Sequence, residues 1–177
     1  MIKIIKATNE PVKSYEPGSI ERLSLQKKYD ELASKIIDVP IIINGEKIYT
    51  GNTGNCLMPH DHNHILAKYH KAGKKEADLA IDAAMESWKI WSKTSISERT
   101  AIFRKAAKLL QGPWRDTINA ATMLNQSKNA YQAEIDSACE LIDFFNFNAQ
   151  FAEQIYNNQP LISPEGIKNY LEYRPLE

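Results

Sequence analysis

Gln132-Ala-Glu-Ile-Asp-Ser-Ala-Cys-Glu-Leu-Ile-Asp-Phe-Phe-Asn-Phe-Asn-Ala149 is the most informative stretch of this chain. It lies in an uninterrupted helical pattern over 129–156, roughly 40 Å long at 1.5 Å per residue. At 100° per residue, Ala138, Leu141, Ile142, Phe145, Ala149 and Ala152 form one apolar stripe. Asp136, Asp143, Asn146, Gln150 and Glu153 form a polar one, and Phe144, Phe147 and Phe151 form a third, with Glu140 pointing the same way. Two apolar faces imply a helix wedged between two surfaces. A carboxylate among aromatics needs a cation, because desolvating it alone is costly. From the pattern alone, Glu140 either pairs with a Lys or Arg of this chain or meets a positively charged ligand.

Working outward, residues 1–18 read as an irregular arm, with Pro11, Pro17 and Gly18 and little periodicity. Ser19 can cap a helix over 20–35. Pro40-Ile-Ile-Ile-Asn-Gly-Glu-Lys-Ile-Tyr49, with two apolar runs around Asn44-Gly45, predicts a hairpin with a type I′ turn. Cys56-Leu-Met and 65–70 read as short strands around a polar turn, Pro59-His-Asp-His-Asn-His64. From Lys74, Ala77, Ile81, Ala84, Trp88 and Trp91 mark one side of an amphipathic helix. Ser95-Ile-Ser-Glu98 matches a capping box. Ile102, Phe103, Ala106 and Leu110 give the following helix its core face, ended by Gly112-Pro113, and a shorter helix covers 114–124. After Pro160 and Pro164, residues 167–174 alternate with the period of a strand.

Bulk properties exclude several classes. The 177 residues are 43% hydrophobic and 25% charged, the profile of a globular chain with a core. Lys plus Arg and Asp plus Glu are both 22, so no net charge favours nucleic acid or anionic lipid. No apolar run reaches the ~20 residues of a membrane span. No secretory core or transit helix is visible at residues 1–7, and the expected location is the cytoplasm. Cys56 and Cys139 are far apart in unlike contexts, which argues against a disulfide.

Candidate chemistry is sparse. His60, His62 and His64 with Asp61 could ligate zinc or copper, but the segment reads as a turn and no second ligand cluster exists. Cys139, inside the long helix, reads as a buried inert thiol, and Cys56 has no adjacent base. Seven glycines supply no G-x-G-x-x-G, P-loop or G-x-S-x-G.

The long-helix block closely resembles the corresponding helix of delta-1-pyrroline-5-carboxylate dehydrogenases, a branch of the aldehyde dehydrogenases. The resemblance extends through Asn9-Glu-Pro-Val12, Pro17-Gly-Ser-Ile-Glu-Arg22, the hairpin, Pro59 to Lys68, Leu110-Gln-Gly-Pro113 and Tyr173-Arg174-Pro-Leu-Glu177. His60 stands where the family commonly has an aromatic, and Asn125-Gln-Ser-Lys128 replaces a more glycine-rich stretch. The resemblance implies an α/β parent with the aldehyde dehydrogenase fold, of which this chain is an N-terminal, mainly helical fragment with short antiparallel hairpins. It divides the chain into an arm (1–18), the helical and hairpin part of an NAD-binding domain (19–160) and the start of an oligomerisation flap strand (161–177). It implies NAD-dependent oxidation of L-glutamate γ-semialdehyde to glutamate in proline breakdown, and a homo-oligomer formed through the 167–174 strand. A eukaryotic source would place the enzyme in the mitochondrial matrix. The family's nucleophilic Cys and general-base Glu match no residue here, so the chain alone is expected to be inactive. The family's substrate-contacting Glu matches Glu140, whose expected partner is the substrate's α-ammonium; Ser137 is expected to line the same tunnel. The alternative class is a non-enzymatic helical interaction domain, which would leave little apolar surface uncovered.

Overall fold

In the computed structural model, which describes residues 2–175, helices dominate and the strands form two small sheets. Helix α1 (Ile20–Ala33) starts where Ser19 accepts the Arg22 N–H. Strands β2 (Ile41–Ile43) and β3 (Glu46–Ile48) pair antiparallel. Between them Asn44 and Gly45 both take positive φ, 50° and 81°, as a type I′ turn requires. The other sheet has the order β1-β5-β4, with β1 (Ile37–Val39), β4 (Thr53–Met58) and β5 (Asp61–His70). Gly54 is held open there by Tyr69 of β5, because a Cβ would lie 2.5 Å from the tyrosine ring.

Two strand features differ from the sequence reading. Strand β5 begins at Asp61, so the turn is only Pro59-His60 and the His62 to His64 stretch is extended. The pairing of Met58 with Asp61 across the turn outweighs the turn preference of Asp and Asn. Strand β1, unforeseen, pairs parallel with residues 67–69 of β5, a non-local partner that leaves no local pattern.

Helix α2 (Lys74–Trp91) buries no residue at all. Its apolar side is present but uncovered, with Ile81 60%, Trp88 40% and Trp91 43% exposed. Helix α3 (Ile96–Gln111) opens with the expected capping box, Ser95 and Glu98 bonding each other's backbone. Its buried face is rotated from the expected one: Thr100 and Ala107 are buried, while Ile102 and Phe103 are exposed. The polar side chains Thr100 and Arg104 turn inward because both bond Glu153. Helix α4 (Arg115–Gln126) ends at Ser127 in the left-handed region.

The long helix is interrupted. Helix α5 (Ala130–Ala133) runs into a π turn (Glu134–Cys139), and α6 (Glu140–Asn157) follows. Ala138 and Ile142 pack on Ala107 of α3, with Leu110, Ile118 and Phe145 around them. A second cluster joins Tyr15 of the arm to Leu25 and Ala120, and a third joins Met58 and Leu66 to Leu124.

Residues 167–174 form no strand among the described residues, contrary to their alternation. A strand needs a backbone partner. Here Leu171 bonds instead to the Gln159 side chain through both its N–H and its carbonyl, and Ile167 and Tyr170 stay exposed. Residues 176–177 of the expected flap segment lie outside the described residues.

Candidate substrate-recognition site

Past Asp136, which is exposed, the polar stripe of the long helix is at least partly covered. The arm lies along it, antiparallel, and its backbone N–H groups donate to the stripe's side chains. Ile2 donates to Asn157 (2.7 Å), Ile5 to Glu153 (3.2 Å) and Ala7 to Gln150 (2.5 Å). Glu10 donates to Asp143 (2.7 Å) and Lys13 to Glu134 (2.8 Å). An irregular arm cannot satisfy its own amides, and the helix supplies their acceptors.

Under the arm sits a buried ionic cluster that sequence reasoning missed. Arg115 of α4 forks between Glu134 and Glu10, and donates to the Pro11 carbonyl at 2.9 Å. Glu134 also accepts from the Tyr15 hydroxyl (2.8 Å) and from the Asn119 amide (2.8 Å). Burial opposes the Glu134 charge, but Arg115, the Lys13 N–H and Tyr15 more than offset it and hold the carboxyl down to about 2. Burial likewise works against the Arg115 charge, yet Glu134 and Glu10 keep it protonated above its ordinary range. The visible signal was in α4: Arg115, Asn119 and Thr122 share one helical face, i, i+4, i+7, and all three are buried.

A second arm anchor is Glu153, which binds Arg104 at 2.5 and 2.9 Å and Thr100 at 3.0 Å. Burial opposes ionisation here too, but Arg104 and the Ile5 N–H hold its carboxyl low. Carboxyls whose folded values are depressed stabilise the fold above their unfolded value of 4.5, and that contribution is lost as pH falls toward the folded value. We expect the urea midpoint to drop between pH 4.5 and about 2. Glu134→Gln should flatten that drop; an unchanged slope in this window would show that Glu134 is not the linked group.

The two expected contact residues stand at the end of the π turn. Ser137, half-buried, donates to Thr122 Oγ1 of α4 at 2.6 Å. Glu140 is exposed and has no ion-pair or hydrogen-bond partner among the described residues. The pairing of Glu140 with a Lys or Arg of this chain is therefore not seen. No hydrogen bond joins Ser137 to Glu140. Nearby, Phe144 is 57% exposed and Phe151 47%, so the aromatic stripe around Glu140 is also uncovered.

The remaining candidates resolve simply. His60 bonds Ser127 at 2.8 Å and His64 bonds the Ala33 carbonyl at 2.9 Å. Among the described residues no group of three or more His, Cys, Asp and Glu could hold a metal. Cys139 is buried; burial and the nearby Glu134 charge push its thiol up to about 11, so it is a weak nucleophile at neutral pH. The described residues hold one glycine between a strand and a following helix, the place where a dinucleotide's pyrophosphate would sit in a Rossmann unit. Gly73 stands between β5 and α2, but its N–H is taken by the Glu76 carboxylate at 2.8 Å, which puts negative charge where a pyrophosphate would sit. Among the described residues, Gly73 thus offers NAD no free N–H.

This chain belongs to the aldehyde dehydrogenase family, whose model matches residues 49–176. Within that family it is similar to delta-1-pyrroline-5-carboxylate dehydrogenases. It is 41% identical over 176 residues to the probable enzyme of that name from Schizosaccharomyces pombe, covering 99% of this chain and 32% of the relative. The mitochondrial enzyme of Mus musculus is 40% identical over 98% of this chain and 31% of its own length. The crystal structure of the Mycobacterium tuberculosis enzyme bound with NAD superposes with a TM-score of 0.95 at 44% identity, over 99% of this chain and 33% of that one. The chain thus spans about a third of the length of the relatives it matches.

Proposed function

We propose that this chain is the N-terminal part of a dehydrogenase that oxidises L-glutamate γ-semialdehyde, formed from delta-1-pyrroline-5-carboxylate, to L-glutamate with NAD in proline catabolism. The observation that carries this reading is the match to enzymes of that name over nearly the whole chain, in sequence and in fold together. The reaction consumes aldehyde, water and NAD+ and yields carboxylate, NADH and two protons. NAD serves as the hydride acceptor.

Glu140 is the residue here that recognises substrate, through the α-ammonium. Its exposure, with no cationic partner among the described residues and beside uncovered aromatics, leaves it available for that contact. Ser137 lines the same tunnel by its position one turn before. The uncovered sides of α2 and α6 meet the rest of the enzyme, which also speaks against a self-contained interaction domain. Residues 167–174, exposed and without backbone partners in a sheet, pair with a second copy in a homo-oligomer. Among the described residues no helix is long and apolar enough to cross a membrane. The enzyme works in the cytoplasm, or in the mitochondrial matrix of a eukaryotic source; the name of the mouse relative calls that protein mitochondrial.

The test is NADH formation, followed by its absorbance, with glutamate semialdehyde. The full reading frame containing these residues should produce NADH, and residues 1–177 alone should produce none. A well-folded full-frame product that oxidises other aldehydes but not this one overturns the substrate. NADH formation by residues 1–177 alone overturns their dependence on the rest of the enzyme.

A further inference from the structure

We infer that Glu134 is a positioning residue: anchored by the arm, it holds the π turn that sets the direction of Ser137 and Glu140. This rests on the substrate role proposed for Glu140.

The π turn is bounded by these two glutamates. Glu134 opens it, and the Glu140 N–H closes it on the Ile135 carbonyl, five residues back. A π turn holds one residue more than the α-helical ladder, so everything after it is rotated by about 100° relative to an unbroken helix. Such a turn is rare and needs fixing on both sides. Ala138 near the end of the turn and Ile142 just after it are locked against Ala107 of α3. Upstream, Glu134 is locked against Arg115 and Asn119 of α4 and against Lys13 and Tyr15 of the arm. An unbroken α-helix could not meet both anchors in this phase.

The arm carries a matching sign of constraint. Tyr15 is held at φ 54°, a left-handed conformation that is strained for a non-glycine residue. Its side chain is buried and its hydroxyl reaches Glu134. The strain is tolerated where the hydroxyl completes the Glu134 shell. If the shell is broken, the turn can relax to the ordinary ladder, and Ser137 and Glu140 swing away from their present direction.

The test uses the full-length enzyme with Glu134→Gln, Tyr15→Phe and Glu140→Ala. Glu134→Gln should raise KM for glutamate semialdehyde at least tenfold, with KM for NAD and kcat/KM for an uncharged aldehyde of similar length within about twofold. Equal losses on both aldehydes would make Glu134 merely structural and overturn the inference. Selective loss in Glu140→Ala without it in Glu134→Gln overturns the inference but keeps the proposed function. No selectivity in Glu140→Ala removes the substrate role on which it rests. Should Glu134→Gln fail to fold, Tyr15→Phe, which keeps the ion pair, takes its place in the kinetic comparison. Independently of kinetics, Tyr15→Phe should speed amide exchange at least tenfold in a peptide spanning 134–140 and not in one spanning 145–156. Uniform or unchanged exchange would show that the arm does not hold the turn.

Discussion

Glu140→Ala in the full-length enzyme should lower kcat/KM for glutamate semialdehyde by about 10- to 100-fold. A hydrogen bond to a charged group contributes about 1.5–3 kcal/mol, and each 1.4 kcal/mol is a tenfold change. Oxidation of an uncharged aldehyde of the same length should change by less than about threefold, because it has no ammonium to lose. The split arises because Glu140 has no partner among the described residues of this chain, so removing it orphans nothing inside the fold. Steady-state kinetics with the two aldehydes side by side measure it. Equal losses on both would return Glu140 to a structural role.

Arg115→Ala is expected to cost about 3–5 kcal/mol of stability, the range for stranding a buried charge. Glu134 is fully buried, and Arg115 is its only ion-pair partner among the described residues. The side chain of Glu10 would lose its ion pair as well. Replacing the pair by Arg115→Met with Glu134→Leu should recover only part of this. The Lys13 N–H, the Tyr15 hydroxyl and the Asn119 amide would each still lose an acceptor. Urea unfolding midpoints of the wild type, the single and the double variant decide it. A single variant within about 1 kcal/mol of wild type would mean that water reaches Glu134 and the cluster is not dry.

Much of the fold was legible because its signals are local. The Ser95 capping box, the Asn44-Gly45 turn and the buried stripe of Ala138, Ile142 and Ala149 appear where the residues demand them. The α/β family assignment rested on the helix block and agrees with the family match and the superposition. What escaped was non-local. A template of 100° per residue assumes one unbroken helix, and nothing in Ala133-Glu-Ile-Asp-Ser137 marks an extra residue in the turn. For the same reason the polar stripe gives no local sign that Glu153 is buried, because Arg104 and the arm that bury it are distant in sequence. Strand β1 depends on a partner in β5, and residues 167–174 have the alternation of a strand without a partner to make one. Of the candidate site, Glu140 and Ser137 came from family resemblance, whereas the Arg115 cluster behind them could have been found from α4 alone. Polar residues at helical spacing on a core face ask for a buried partner.

The most direct measurement is the gene sequence beyond codon 177. The account predicts an open frame of roughly twice this length again, encoding strand–helix units with a glycine-bearing dinucleotide crossover and a later cysteine nucleophile. A stop codon directly after Glu177 in the intact gene would contradict the dehydrogenase reading.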